Sequence, residues 1–229
     1  MNLALDADAR SAIWLTLKLA AVTTALLLVI ATPLAWWLYQ TRSRAKAVTL
    51  ALVNLPLVLP PTVLGFYLLI LLGPHGWVGQ VMMAMGFNHL AFTFSGLVIG
   101  SMIFSLPFAV QPVLNAFEAI GARPMEVAAT LRARPLDAFW SVALPQARQG
   151  YVLAAVLTFA HTLGEFGVVL LIGGNIEGET RVVSTRILGY VEAMDYTQAH
   201  LLSALMVGFS FVVLLFMAHA KTRAARLLN

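Results

Sequence analysis

The sequence predicts an all-α protein: a polytopic membrane helical bundle of five transmembrane helices with a pair of short helices on its cytoplasmic side. Three observations carry that prediction. Hydrophobic residues make up 60% of the 229-residue chain and charged residues only 10%, with a mean hydropathy of +0.87, against the roughly half-apolar, quarter-charged make-up of soluble domains. Five stretches reach the ~20 mainly apolar residues that a helix needs to cross a bilayer. The basic residues lie in short runs between those stretches, rich on one side and sparse on the other.

The stretches fall at residues 12–39, 48–72, 90–117, 151–172 and 201–220. The first is led by Asp6 and Asp8 rather than by a basic region, and its apolar run is too long for a secretory signal, so it reads as a retained helix. Arg42, Arg44 and Lys46 follow it; Arg123, Arg132, Arg134 and Arg148 follow the third; Lys221, Arg223 and Arg226 follow the fifth. All of these lie on one side. The other side holds Arg10, Arg181 and Arg186 among Asp6, Asp8, Glu177, Glu179, Glu192 and Asp195, while Lys18 can snorkel outward along its alkyl stem. Basic excess marks the cytoplasmic face, which puts the N-terminus outside and the C-terminus inside a cytoplasmic membrane.

Composition also removes several functions. A pI near 9.8 reports membrane orientation here and not nucleic-acid binding, because the cations are dispersed between spans. Zero cysteines exclude disulfides, thiolate metal sites and cysteine nucleophiles. His75, His89, His161, His200 and His219 are scattered without ligand spacing, so no metal site is expected. No composition break divides the chain, and residues 11–220 read as one domain.

Glu165, flanked as Leu163-Gly164-Glu165-Phe166-Gly167, is the one carboxylate well inside a span, roughly 10 Å from the outer end of its stretch at helical rise. A charge at that depth costs ~2.5–3.5 kcal/mol on insertion scales, so it needs protein or water around it. Glu165 is therefore either a pathway or gate residue or a group hydrogen-bonded between helices. Prolines are the second unusual feature: Pro56, Pro60 and Pro61 in the second stretch, Pro107 and Pro112 in the third. Each removes a backbone donor, so these helices should kink or unwind, either along a translocation path or as packing kinks. Gly96 and Gly100 make a Gly-x-x-x-Gly step suited to close helix packing.

Between the third and fourth stretches, Arg123-Pro124 introduces a helix with Glu126 in its first turn, where an acid and a proline are both favoured. Val127, Ala128, Leu131 and Ala133 supply small or apolar surface. Pro135 interrupts, and Leu136, Phe139, Trp140 and Val142 form a second short amphipathic piece ending at Leu144-Pro145. Two short helices meeting at a bend make a compact knob; an amphipathic helix lying on lipid headgroups is the other reading.

This segment resembles the cytoplasmic loop of permease subunits of binding-protein-dependent ABC importers, the MetI-like type, whose pattern is Glu-Ala-Ala, three residues, Gly, nine residues, Ile, one residue, Leu-Pro. Glu126, Ala128, Leu144 and Pro145 match it, Val127 and Val142 are mild replacements, and Arg132 stands where the family has glycine. That departure weakens the inference that the bend needs a positive φ at Arg132. The resemblance implies that residues 122–145 insert into a groove of a separate ATPase, with Glu126, Val127, Ala128, Arg132, Leu144 and Pro145 at the coupling contact. No Walker-A sequence occurs in the chain, so ATP and magnesium would be used by that partner, and no cofactor or catalysis is expected here.

Residues 54–65, Leu163-Gly164-Glu165-Phe166-Gly167 and residues 174–180 are similar, in order and spacing, to the molybdate permeases of that family, with Glu177 in place of an expected proline. The similarity implies a homodimer in the bilayer, two ATP-binding subunits, and a periplasmic oxyanion-binding protein delivering molybdate or tungstate. Sulfate and thiosulfate permeases are similar but usually longer. An ion-gradient-driven secondary transporter is the rival from another class; it would want coupling carboxylates or an inverted repeat, and the sequence has one intramembrane carboxylate and no evident repeat. For a tetrahedral oxyanion, hydroxyls and backbone dipoles suit passage better than fixed arginines, which makes Thr62, Ser101, Ser105, Thr158 and Thr162 pathway candidates. In the outer loop, Val183, Ile187, Leu188 and Val191 should bury one helix face, leaving Arg186 and Glu192 more exposed and Arg181 available to a docking protein.

Overall fold

The computed structural model describes residues 6–226 along the backbone and side chains as far as Leu215, so the side chains of His219, Lys221, Arg223 and Arg226 lie outside the described residues. Every element among the described residues is helical. Helix α1 (Ala7–Gln40) starts where the Asp6 carboxylate accepts the Ala9 amide hydrogen at 2.6 Å, a side-chain cap for an otherwise orphan donor. Then come α2 (Ala45–Val58), α3 (Pro61–Leu72), α4 (Trp77–Ala84) and the long α5 (Phe94–Ile120), the last capped by Thr93.

The predicted second span is two helices. Pro60 and Pro61 delete two successive backbone donors, and a residue preceding proline is pushed out of helical geometry, so the chain is extended at Leu59 and Pro60 before α3 restarts. Single prolines do less: winding passes through Pro107 and Pro112, both buried within α5. Short helices α6 (Arg123–Thr130) and α7 (Pro135–Ala138), a π-helical turn (Phe139–Ala143) and α8 (Leu144–Gln146) lead into α9 (Arg148–Leu163). Then α10 (Gly167–Gly173), α11 (Val183–Glu192) and α12 (Tyr196–Arg226) complete the chain.

Among the described residues, four helical units are long and apolar enough to cross a membrane, Ala7–Gln40, Pro61–Ala84, Phe94–Ile120 and Tyr196–Leu215, and α9 with α10, bent by 62°, makes a fifth when taken as one span. At the core, α1, α5 and α9 pack on one another through Leu27, Ala31, Ala35, Val110, Val113, Phe117 and Ala154. Lipid is as apolar as these side chains, so their close packing, more than exclusion of water, holds the helices together. The Gly96/Gly100 step serves that purpose inside the subunit: a Cβ on Gly100 would meet Ile172 Cδ1 at 2.5 Å. It is a seat for α10 on α5.

The bundle has two distinct ends. At one, Tyr39 Oη donates to the Gly121 carbonyl at 2.8 Å and Lys46 pairs with Glu118 at 3.1 Å, gathering the ends of α1 and α5 and the start of α2. At the other, Arg181 and Arg186 reach Asp8 and Asp6 at the start of α1. These contacts set the start of α1 and α11 at one end, and the end of α1, the start of α2 and the end of α5 at the other.

Candidate functional site

The α6–α8 segment forms a knob at the Tyr39–Glu118 end. Its first helix opens on Arg123 and Pro124, where the missing proline donor would be unpaired anyway, with Glu126 in the favourable first turn. It stops in a Schellman arrangement: the Ala133 amide donates to the Ala128 carbonyl at 3.1 Å and the Arg132 amide to Ala129 at 3.0 Å. This closure needs a left-handed residue, and Arg132 supplies it at φ 59°. The expectation drawn from arginine at a glycine position is therefore corrected. The turn keeps its positive φ and the side chain bears the strain, on the order of 1–2 kcal/mol.

Two further expectations change. Ala128 is buried and roots α6, so it does not supply surface. Leu144-Pro145 does not end the second piece, because Pro145 occupies the first turn of α8, where proline is tolerated, and winding resumes in α9. The π turn widens the helix by one residue and divides two neighbouring aromatics. Phe139 points in and is buried, stacking edge-on with Trp36 at 5.0 Å between centroids, while Trp140 points out. Trp36 also meets Phe117 at 5.1 Å, so an aromatic cluster ties the knob to α1 and α5. What the knob leaves outside is apolar: Val127, Leu131, Leu136 and Trp140 are 58%, 78%, 73% and 63% exposed. Glu126, Arg132 and Pro145 are exposed beside them and Leu144 is half-buried.

The pathway candidates separate. Thr62 is exposed at the start of α3, just past the proline break. Ser101, Ser105, Thr158 and Thr162 are buried between α5 and α9. There Ser105 Oγ lies 2.9 Å from His161 Nδ1 and 3.1 Å from Thr162 Oγ1, whose own hydrogen goes to the Thr158 carbonyl. His161 stacks on Phe108 at 4.1 Å. Glu165 stands in the break between α9 and α10, 3% exposed. Among the described residues, neither of its carboxyl oxygens nor the Ser101 hydroxyl has a hydrogen-bond partner. That break packs onto the break in the second span: a Cβ on Gly167 would meet Pro61 Cβ at 2.8 Å. The two interruptions lie side by side.

The opposite end is ordered by charge. Arg186 is half-buried, not the exposed residue expected, with Nη2 2.9 Å from Asp6 Oδ2 and Nε 3.0 Å from Asp8 Oδ2. Arg181 is likewise turned inward, onto Asp8 and the Asn175 carbonyl. Tyr190 Oη donates to Asp6 Oδ2 at 2.7 Å. Burial raises the Asp6 carboxyl, but the hydrogen bonds from Tyr190, the Ala9 amide and Arg186 outweigh it and hold it below the usual carboxylate range. The buried face of α11 is Val183, Ile187 and Tyr190, with Val191 41% exposed. Sequence reasoning also missed one pair inside the spans: Gln111 Nε2 donates to Asn54 Oδ1 at 2.9 Å. Helical register on α5 could have flagged Gln111, an amide in an otherwise apolar run.

Broken membrane spans, a short helix strapped to the start of α1 and a protruding knob define a polytopic permease fold. The chain belongs to the binding-protein-dependent transport system inner membrane component family, whose sequence model matches residues 28–226. It is 62% identical over 204 residues, 89% of this chain and 90% of the relative, to the molybdenum transport system permease protein of Azotobacter vinelandii. A sulfate transport system permease protein of Synechococcus elongatus is 28% identical over 221 residues, 96% of this chain and 77% of the relative. Among solved structures, a bacterial ABC transporter involved in import of the acidic polysaccharide alginate has the same fold, at TM-score 0.78 and 20% identity over 95% of this chain and 80% of that one. The inward-facing MetNI methionine ABC transporter follows at TM-score 0.69 and 21% identity, covering 95% of this chain and 94% of that one.

Proposed function

We propose that this chain is the membrane permease subunit of an ATP-driven, binding-protein-dependent importer of molybdate, with tungstate as the closest competing ion. The observation that carries this reading is the 62% identity, spanning 90% of the relative, to a molybdenum transport permease. The sulfate reading is supported by sulfate permeases at 28% to 34% identity and is the weaker of the two. Two copies of the chain form the passage, an outer receptor delivers the oxyanion, and ATP hydrolysis belongs to two separate subunits. The N-terminus faces outward and the knob faces the cytoplasm.

The knob is the point where force enters. Its exposed Val127, Leu131, Leu136 and Trp140 are the kind of aromatic and aliphatic anchors that fill a partner's pocket, with Glu126 and Arg132 at the rim. Phe139 and the aromatic cluster carry knob movement into α1, α5 and α9. Nucleotide-driven closure of the ATPases then biases the bundle between inward- and outward-open states. The paired breaks at Leu59–Pro60 and residues 164–166 are where backbone can change direction.

Proteoliposomes holding the chain with its ATPase and receptor test this directly. Molybdate should accumulate only with ATP on the knob side, with tungstate competing better than sulfate. Uptake that ignores ATP and follows a proton gradient would establish a secondary transporter, and equal uptake of sulfate would favour the sulfate reading.

A further inference from the structure

We propose that the seam between α2 and α5, centred on the amides of Asn54 and Gln111, forms part of the wall along which the oxyanion crosses the subunit. The inference rests on the import reading above and adds the contact residues to it. Asn54 is nine residues past the start of α2 at Ala45, and Gln111 nine before the end of α5 at Ile120. At helical rise each is about 14 Å from the knob end of the bundle, close to the middle of a hydrocarbon core ~30 Å thick. Both are half-buried, so part of each side chain leaves the subunit at that depth. Lipid tails offer an amide no partner. A half-exposed amide pair at mid-membrane therefore faces water or another protein chain.

Register on α5 extends the pair into a stripe. Phe104, Phe108, Gln111, Asn115 and Glu118 recur at spacings of three and four, which places them along one face. The first three are half-buried and the last two exposed, while Ala109, Val110, Val113 and Phe117 on the other side are fully buried in the core. Polarity rises along the stripe from aromatic rings through two amides to the Lys46–Glu118 ion pair at the knob end. On α2, Leu52 is 63% exposed opposite Asn54, as a lipid-facing residue should be, whereas Leu57 and Val58, three and four residues on from Asn54, are 55% and 84% exposed on the seam's own side, nearer the proline break.

The chemistry suits a dianion that must not be held. Two side-chain amides carry four N–H groups, and one is used in the bond between them. The remaining three have no partner among the described residues, and exchanging oxygen and nitrogen in both amides leaves the same number. Neutral donors replace hydration of an anion without the strong, charge-assisted grip of a guanidinium.

Asn54→Asp separates passage from packing. The new carboxylate still accepts the Gln111 hydrogen, so the clamp between α2 and α5 is retained, but a fixed negative charge now borders the path. Molybdate uptake should fall about tenfold or more, the penalty of facing like charges, while the complex still retains its ATPase. Uptake within about twofold of the unmutated complex would overturn the proposal. Because the chain has no cysteine, single substitutions Asn54→Cys, Gln111→Cys and Leu52→Cys give a second, independent reading with a water-soluble anionic methanethiosulfonate. Positions 54 and 111 should react in at least one nucleotide state and be slowed by molybdate, and position 52 should stay unreactive. If 54 and 111 are inert in both the nucleotide-free and nucleotide-bound states, or no more reactive than 52, the seam is not the wall. The unmutated complex, assayed alongside, keeps the two claims apart: no ATP-driven molybdate uptake there sinks the import reading, whereas normal uptake with inert positions sinks only the seam.

Discussion

The two ends of the bundle deal with their side chains in opposite ways. At the end of Asp6 and Asp8, four charged groups and a tyrosine neutralise one another within the chain, and the α10–α11 loop is strapped to the start of α1. At the knob end, charge is sparse in contacts and large apolar side chains stand in the open. A membrane subunit can hide apolar groups in lipid, but a knob beyond the spans cannot. The difference teaches what each end offers a partner: the strapped end satisfies its own charges, while the knob holds large apolar side chains in the open.

The most damaging change to that contrast is at the knob tip. Leu131→Asp combined with Trp140→Asp should abolish retention of the ATPase during detergent purification, since anchors of this kind contribute about 2 kcal/mol or more each, and the bundle should keep its thermal stability. Equal retention would mean the exposed apolar tips are not the contact. Next in size is Asp8→Ala, which leaves Arg181 and Arg186 without a shared carboxylate at a largely buried site; removing one partner of such a cluster costs about 3 kcal/mol. A clear drop in melting temperature with the ATPase still bound is the expected result.

Arg132→Gly should act in the other direction. It relieves the left-handed backbone at φ 59° and should stabilise the protein by about 1 kcal/mol, read as a raised melting temperature. Destabilisation would show that the arginine side chain does more for the turn than its backbone strain takes away. The smallest effect concerns pH. Because Asp6 is held below its unfolded value, its contribution is fully present above the ordinary carboxylate range and is lost as pH falls through the lower folded value. Asp6→Asn should flatten the acid limb of the stability curve slightly and leave neutral pH almost unchanged; an unaltered acid limb would remove Asp6 from the strap.

Most span positions and the knob segment were legible in sequence because hydropathy and a proline-framed polar segment are local signals. The second span was legible as apolar but not as two helices. Isolated prolines at 107 and 112 leave α5 continuous, whereas adjacent Pro60 and Pro61 break the chain, so spacing between prolines decides the outcome. At the knob, Glu126, Val127 and Arg132 are exposed, but the inward turn of Ala128 depends on how α6 seats on its neighbours, which no local pattern carries. The strap around Asp6 and Asp8 joins residues more than 170 positions apart, and no local pattern announces such a pairing. Hydroxyls were singled out for the passage by type alone; the fold buries Ser101, Ser105 and Thr158 within the subunit and brings forward an amide pair that composition does not mark.

Cross-linking at the knob tests the central claim most directly. With no native cysteine in the chain, Val127→Cys gives one defined thiol at an exposed position of α6. In the intact complex a short thiol-to-lysine cross-linker should join that cysteine to the ATPase subunit, in a yield that changes between nucleotide-free and nucleotide-bound states. A cysteine that joins only the outer receptor, or that stays free in every nucleotide state, would contradict the account.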